Sequence, residues 1–209
     1  MDDVSAPDIR AADARTRLLD AALQLVRARG WAGTSVDELC AAAGVTKGSF
    51  FHHFKTKEAL GVAAAARWGE VTGALFAAAA YHALVDPRAR VLGYVDFRAG
   101  LLGDDLAASS CFAGTLVQEV HASHPALRDA CGAAIAGHAA TLEPDIAAAK
   151  AAYCPRADWD VASLALFTQT VLQGAFVMAK AAGDVSVARG QVAHLRRYVA
   201  MVLGGEGVA

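Results

Sequence analysis

Over residues 44–57 the chain carries Lys47, Lys55 and Lys57, the adjacent pair His52 and His53, and no acidic side chain. Hydroxyls stand among them at Thr46 and Ser49, with Thr34 and Ser35 a short step upstream. Ammonium, imidazole and hydroxyl donors grouped in this way are what neutralises and hydrogen-bonds a phosphate backbone. Across the whole sequence 19 basic side chains face 21 acidic ones, a net charge of -2. The chain is therefore no general polycation, and contact with a nucleic acid has to be made locally, by this segment.

Other chemistries leave weaker marks. Cys40, Cys111, Cys131 and Cys154 are far apart with no C-x-x-C pair, which points away from a zinc site or dithiol centre and toward reduced thiols in the cytoplasm. His121, His124 and Cys131 follow no ligand spacing, so no metal is expected. The rival class is a helical-bundle enzyme or a metal or ligand carrier without DNA binding. Its marks are missing: there is no paired Glu-x-x-His, G-x-S-x-G, P-loop or helix-opening G-x-G-x-x-G, so neither catalysis nor a cofactor is expected. The uncharged run 161–179 has the length of a membrane span, but Ser163, Thr168, Gln169, Thr170 and Gln173 interrupt it, and it reads as a helix buried in a subunit interface. The first residues lack the positive start and apolar run of a signal peptide, and residues 1–12 read as a disordered lead.

The elements that must position the basic segment are helical. Hydrophobic residues make up 56% of the chain and aromatics only 7%, with long stretches of alanine, a composition that predicts an all-α fold. Over 14–29, Leu18, Leu19, Ala22, Leu25 and Val26 share one helical face, and Gly30 stops the helix. Ser35 stands three residues before Glu38, the capping-box spacing, and opens a short helix over 36–43. Gly44 ends it, and Val45-Thr46 leads into another at about 47–53, where Phe50 and Phe54 can pack. Two short helices divided by a glycine turn make a helix-turn-helix. A long helix from Lys57 to about Tyr81 leaves this head, and helices follow near 87–102, 110–121, 125–152, 158–181 and 186–203, about nine in all. Glu143-Pro144 kinks or divides the one at 125–152. The expected division is a head over 13–56 and a helical body over 57–204.

Residues 16–60, TRLLDAALQLVRARGWAGTSVDELCAAAGVTKGSFFHHFKTKEAL, resemble the N-terminal domain of the tetracycline-repressor (TetR) family, above all in the stretch GVTKGSFFHHFKTKEAL. The match covers about a quarter of the chain, and the rest agrees in length and helix count. The resemblance implies a ligand-responsive transcriptional regulator, by the family's habit a repressor, binding palindromic operator DNA. Thr34 and Ser35 would then meet a phosphate at a helix N-terminus, and Thr46, Lys47, Gly48 and Ser49 would face the major groove. The missing side chain at Gly48 would let the helix approach the bases, and His52, His53 and Lys57 would lie within reach of phosphates. Where many relatives have tyrosine this chain has Phe51, which cannot donate to a phosphate but can touch a thymine methyl. Taken singly, Thr34, Ser35 and Thr46 could equally be helix caps, and Lys55 and Lys57 a solvated helix end.

One short recognition helix reads few bases, so two copies spaced by about one turn of DNA, roughly 34 Å, are required. The expected homodimer interface is Leu164, Phe167, Val171, Gly174, Ala175 and Met178 on one helix with Val192, Leu195, Val199 and Val202 on the next, a four-helix bundle across a two-fold axis. If the family pattern holds, helices over 87–152 enclose a small-molecule effector, with Tyr94, Phe97, Arg98, Leu101, Phe112, Thr115, His121 and Phe167 as candidate lining residues; ordinary core packing is the other reading of each. Ser109-Ser110 reads as a helix cap that places Cys111 in a first turn, where the helix dipole favours thiolate. Cys111 is thereby a candidate electrophile or oxidant sensor, with a plain buried cysteine as the alternative.

Overall fold

The computed structural model describes residues 6–204, with side chains from residue 13 on. Among the described residues there are ten α-helices, one short 3-10 turn and no strand, so the all-α expectation holds. Contacts divide the chain into two compact units.

The first unit begins with α1 (Ala6–Arg29). It starts ahead of the boundary expected at residue 13, because Pro7 falls in the first turn, where a missing N–H costs no hydrogen bond; residues 1–5 of the expected lead lie outside the described residues. Gly30, at φ 80, ends α1. Helix α2 (Val36–Ala43) opens on a complete capping box: the Ser35 hydroxyl accepts from Glu38 N–H, and the Glu38 carboxylate accepts from Ser35 N–H. Such a cap contributes about 1 kcal/mol. Gly44 closes α2 in the left-handed region, at φ 62, a conformation that disfavours any side chain. The Thr46 hydroxyl then caps α3 (Lys47–His53) by accepting from Ser49 N–H. Leu18, Ala22 and Val26 of α1, Leu39 of α2 and Phe50 of α3 are wholly buried together with Leu60 of α4 (Lys57–Ala77). The boundaries predicted for α2 and α3 coincide with those observed.

Contacts group the elements differently from the expected division at residues 56 and 57. Helix α4 belongs to the head's unit as far as Glu70, and α6 (Phe112–Val120) joins that unit with the start of α7 (Pro125–Ala140). The cause is a joint at the α1–α2 turn. The Trp31 ring packs so closely against Gly61 that a Cβ there would meet the ring and Leu127 at 2.7 Å.

In the second unit, α4 runs on to Ala77 and then breaks, short of the end expected at Tyr81, which instead stands in a 3-10 turn, Ala80–Ala83. Asp86 caps α5 (Pro87–Gly100), whose proline sits in the first turn. Pro144 divides the expected 125–152 helix, so that α8 (Glu143–Tyr153) starts anew. Asp160 caps α9 (Val161–Ala182) and Asp184 caps α10 (Val185–Val202). Phe76, Tyr94, Ile146, Leu172, Leu195 and Val199 form the centre of this core. Helix α9 is long and apolar enough to cross a membrane by composition, yet Leu164, Ala165, Thr168, Leu172, Ala175 and Ala179 bury one of its faces in this core.

Candidate nucleic-acid interface and effector site

Helix α3 separates its two adjacent phenylalanines. Phe50 is fully buried and Phe51 is 48% exposed, as the helical period requires of consecutive residues at the edge of a packed face. Thr46, Lys47, Gly48 and His52 share the exposure of Phe51, while Ser49 and His53 are half-buried. A Cβ added at Gly48 would meet only the Thr46 hydroxyl, at 3.6 Å, so this glycine is imposed by nothing in the fold. Lys47 forms an ion pair with Asp37 at 2.7 Å, which holds its ammonium pKa above the ordinary value. Burial, then the neighbouring His52 and Arg15, hold the His53 imidazole below its usual pKa and favour its neutral form.

Two expected phosphate contacts are corrected. Thr34 is only 1% exposed and spends its hydroxyl on the Gly30 carbonyl at 2.7 Å. Lys57 turns inward: its ammonium donates to the Trp31 carbonyl and lies over the Trp31 ring, 4.0 Å from the centroid. Burial accordingly pushes its pKa down. Ser35 is exposed, but its hydroxyl serves the capping box.

Nothing in the sequence pattern announces the residue that fixes the same turn from the other side. The Glu119 carboxylate of α6 accepts from Trp31 N–H at 2.8 Å and Ala32 N–H at 2.9 Å. A Cβ at Gly30 would strike it at 2.4 Å, so glycine there is needed for both its φ and its clearance. Glu119→Ala strips both amides of a charged acceptor and is expected to cost about 1–2 kcal/mol, given that the pair is partly exposed. The check is a lower urea midpoint with an unchanged slope; an unchanged midpoint would mean that water replaces the carboxylate without loss.

Of the candidate effector residues, Tyr94, Phe97 and Arg98 come together in the second unit, with Phe76, Tyr81, His138 and Gln169, none of which the sequence pattern marks. Tyr94 is 1% exposed and its hydroxyl is the hub. It accepts from Gln169 Nε2 at 2.8 Å and from Arg98 Nε at 3.1 Å, and His138 Nε2 lies 3.1 Å away. With two donors already on the phenol oxygen, its proton goes to His138. Phe76 stacks edge-on against both Phe97 and His138, at 5.1 and 4.6 Å. Burial, aided by Arg98, drives the His138 pKa down to about 3, and burial raises that of Tyr81 to about 12.

The other candidates lie elsewhere. Phe112 is buried beside Trp68 in the first unit, where α6 also carries Thr115, and His121 is exposed just beyond that helix. Leu101 is 38% exposed at the end of α5. Phe167 stacks on Tyr198 at 4.8 Å and lines a separate hollow of about 170 Å³ with Trp159 and Leu164. Cys111 precedes α6 rather than occupying its first turn. The Ser110 hydroxyl donates to the Ala107 carbonyl and that of Ser109 to the Gly103 carbonyl.

The residues expected at the dimer interface divide between the interior and the surface of the chain. Leu164, Ala175, Val192, Leu195 and Val199 are buried within the protomer, where α9 and α10 pack on each other, whereas Gly174 and Met178 are exposed and Phe167, Val171 and Val202 half-buried. The outward face of the pair carries Leu166, Val177, Met178, Tyr198 and Met201, each at least 42% exposed.

The first unit thus carries a capped helix-turn-helix whose second helix offers an exposed glycine and flanking cations, and the second unit is helical around a buried polar and aromatic cluster. Residues 18–64 match the family described as bacterial regulatory proteins, tetR family, and residues 87–195 match the tetracyclin repressor-like C-terminal domain. The chain belongs to the TetR family. It is 49% identical over 51 residues to the HTH-type transcriptional repressor NemR of Escherichia coli strain K12, covering 24% of this chain and 26% of that protein. With the HTH-type transcriptional repressor DhaR of Mycobacterium sp. strain GP1 it shares 45% over 47 residues, 22% and 24% of the two chains. The matched stretch thus spans about a quarter of these relatives. Reduced E. coli NemR superposes with a TM-score of 0.75 at 26% identity, over 88% of this chain and 95% of that one. A regulatory protein TetR from Rhodobacter sphaeroides gives 0.78 at 24%, over 88% and 98%.

Proposed function

We propose that this chain is a cytoplasmic transcriptional repressor that binds a palindromic operator as a homodimer and leaves it when a small molecule binds the second unit. The observation that carries the reading is the exposed start of α3, where Thr46, Lys47, Gly48 and Phe51 face outward around a glycine that the fold does not require. Major-groove entry by such a helix is read by its N-terminal residues, with cations along its flanks for phosphates. An effector that binds one conformation better than the other shifts the population of DNA-competent dimers by that difference alone. The test is selection of bound duplexes from a random pool, followed by titration at several salt concentrations. A two-fold symmetric site, with affinity that falls as salt rises and is lost in a Lys47→Ala/His53→Ala double variant, supports the reading; sequence-independent binding would end it.

The Lys47–Asp37 pair sharpens this. Bound to DNA, Lys47 exchanges a carboxylate for a phosphate, and Asp37 is left beside the polyanion. Asp37→Asn is therefore expected to tighten operator binding by about 3- to 10-fold at low salt, with a smaller gain at high salt. Fluorescence anisotropy on the selected site measures it, and weaker binding by the variant would contradict this geometry.

For the dimer, the outward face of α9 and α10 is the natural surface. Residues 166, 170, 174 and 177 recur on it at helical spacing, and Gly174 leaves room for a partner helix, since a Cβ added there would meet nothing within 4 Å. Met178→Glu is expected to convert a dimer to a monomer in sedimentation velocity while the far-ultraviolet dichroism stays helical; a dimer that survives this change would place the interface elsewhere.

A further inference from the structure

We propose that Arg98 is the anchor for an organic acid, and that the effector of this chain is an aromatic or otherwise apolar monocarboxylate whose carboxylate is forked by the Arg98 guanidinium. The inference rests on the reading of the second unit as an effector site and names the ligand class for it. Three arginines of the same unit are committed to acidic partners, and Arg98 is not. Arg90, Arg189 and Arg196 each hold a carboxylate, at 2.6, 2.9 and 2.6 Å. No carboxylate of the described residues pairs with Arg98, which is half-buried; its Nε donates to the Tyr94 hydroxyl and its plane lies over the Phe76 ring, 4.3 Å from the centroid. Those two contacts fix the guanidinium. Gln169, itself 3% exposed, fixes the Tyr94 hydroxyl in turn. The two terminal nitrogens are left without an acceptor among the described residues.

A guanidinium held this way is a preorganised receptor for a planar, singly charged anion, since both oxygens of a carboxylate meet parallel N–H groups. The surroundings select the rest of the molecule. Phe97 stacks on both Phe76 and Tyr81, with centroids 5.1 and 6.1 Å away, so that the guanidinium stands against an aromatic wall that suits an apolar body. The second basic group in the cluster, His138, stays neutral, consistent with its buried ring and the Arg98 charge beside it. One positive charge therefore meets one negative charge, and a phosphate dianion or dicarboxylate would bring an unmatched charge into aromatic surroundings.

The probes are benzoate, cinnamate and octanoate, each set against its primary amide, with binding to the purified dimer read by isothermal titration and by the shift in Tm. At least one acid is expected to bind about 10- to 100-fold more tightly than its amide, and Arg98→Met, which keeps the apolar stem, is expected to erase the difference. Tyr94→Phe keeps the stack and the cation but frees the guanidinium to rotate, so it should weaken the acid more than the amide. The proposal is overturned if acids and amides bind alike, if Arg98→Met leaves the acid unaffected, or if none of the three acids binds at 10 mM, roughly the weak limit of a specific small-ligand site. Failure here is separable from failure of the repressor reading: a protein that selects an operator but ignores all acids loses only this inference, whereas Arg98-dependent acid binding without any operator would remove the regulator and leave the site.

Discussion

Leucine at position 48 is expected to abolish operator binding and at the same time to make the protein slightly more stable. A glycine within a helix costs about 0.5–1 kcal/mol relative to a residue with a side chain, and at Gly48 there is no steric reason to accept that cost, because an added Cβ meets only the Thr46 hydroxyl at ordinary contact distance. Its occupancy by glycine is explained by what is outside the protein. Helix α3 has seven residues, so its first turn supplies most of the side chains that can reach base edges. A leucine in that turn stands between the helix and the groove floor and lifts Thr46, Lys47 and Ser49 away from their partners together. Since each well-placed base contact is worth about 1–3 kcal/mol, loss of the set weakens binding by at least about 100-fold. Thermal unfolding followed by dichroism and anisotropy on the selected operator measure the two halves separately. A variant that is destabilised, or one that binds DNA as well as its parent, would refute the assignment of this face; Gly48→Ala provides the intermediate case.

The head was legible in the sequence because its elements are specified locally. Ser35 with Glu38, Gly44 and Thr46 are punctuation acting over three or four residues, and the observed limits of α2 and α3 follow from them. The failures have one physical origin, which is that spacing along a helix says which residues share a face and not what that face meets. Thr34 and Lys57 sit where a phosphate contact was expected, yet the carbonyls of Gly30 and Trp31 were nearer partners. On α9 and α10 the helical period alone assigns the apolar stripe at Leu164, Ala175, Val192 and Val199 to a second protomer. In the structure it closes the protomer's own core, and a second, weaker stripe is left outward.

The Glu119 joint and the Tyr94 hub were illegible for a related reason. Glu119 reaches back 88 residues to Trp31, and Gln169 reaches 75 to Tyr94. A single carboxylate or amide carries no sign of such a partner. Phe97 and Arg98 stand out by type, whereas His138, which shares the cluster, lies on a helix whose exposed positions resemble an ordinary solvated face. The long-range polar contacts that join the elements within each unit are set by tertiary geometry, and composition and period cannot supply that.

Acid is expected to destabilise this protein through His138 before general carboxylate protonation does so. The ring titrates near 6.5 in an unfolded chain, whereas in the fold burial, with the Arg98 charge second, lowers its pKa to about 3. Between those values the unfolded chain takes up a proton that the folded one refuses, so stability is complete above pH 6.5 and falls as the pH is lowered toward 3. The slope approaches about 1.4 kcal/mol per pH unit, and by pH 4 the loss is on the order of 3 kcal/mol, a large share of an ordinary domain's stability. Protonation also breaks the hub itself, because an imidazolium cannot accept the Tyr94 proton, and that hydroxyl already receives Arg98 and Gln169. His138→Gln keeps an acceptor within the cluster and does not titrate. Its urea midpoint should therefore lie close to that of the parent at pH 7.5 and increasingly above it from pH 6 to pH 4, the gap measuring the proton excluded by the fold. Parallel midpoints over that range would show that His138 is protonated in the folded protein, and would require water or a carboxylate beside the ring in place of the aromatic wall of Phe76 and Tyr94.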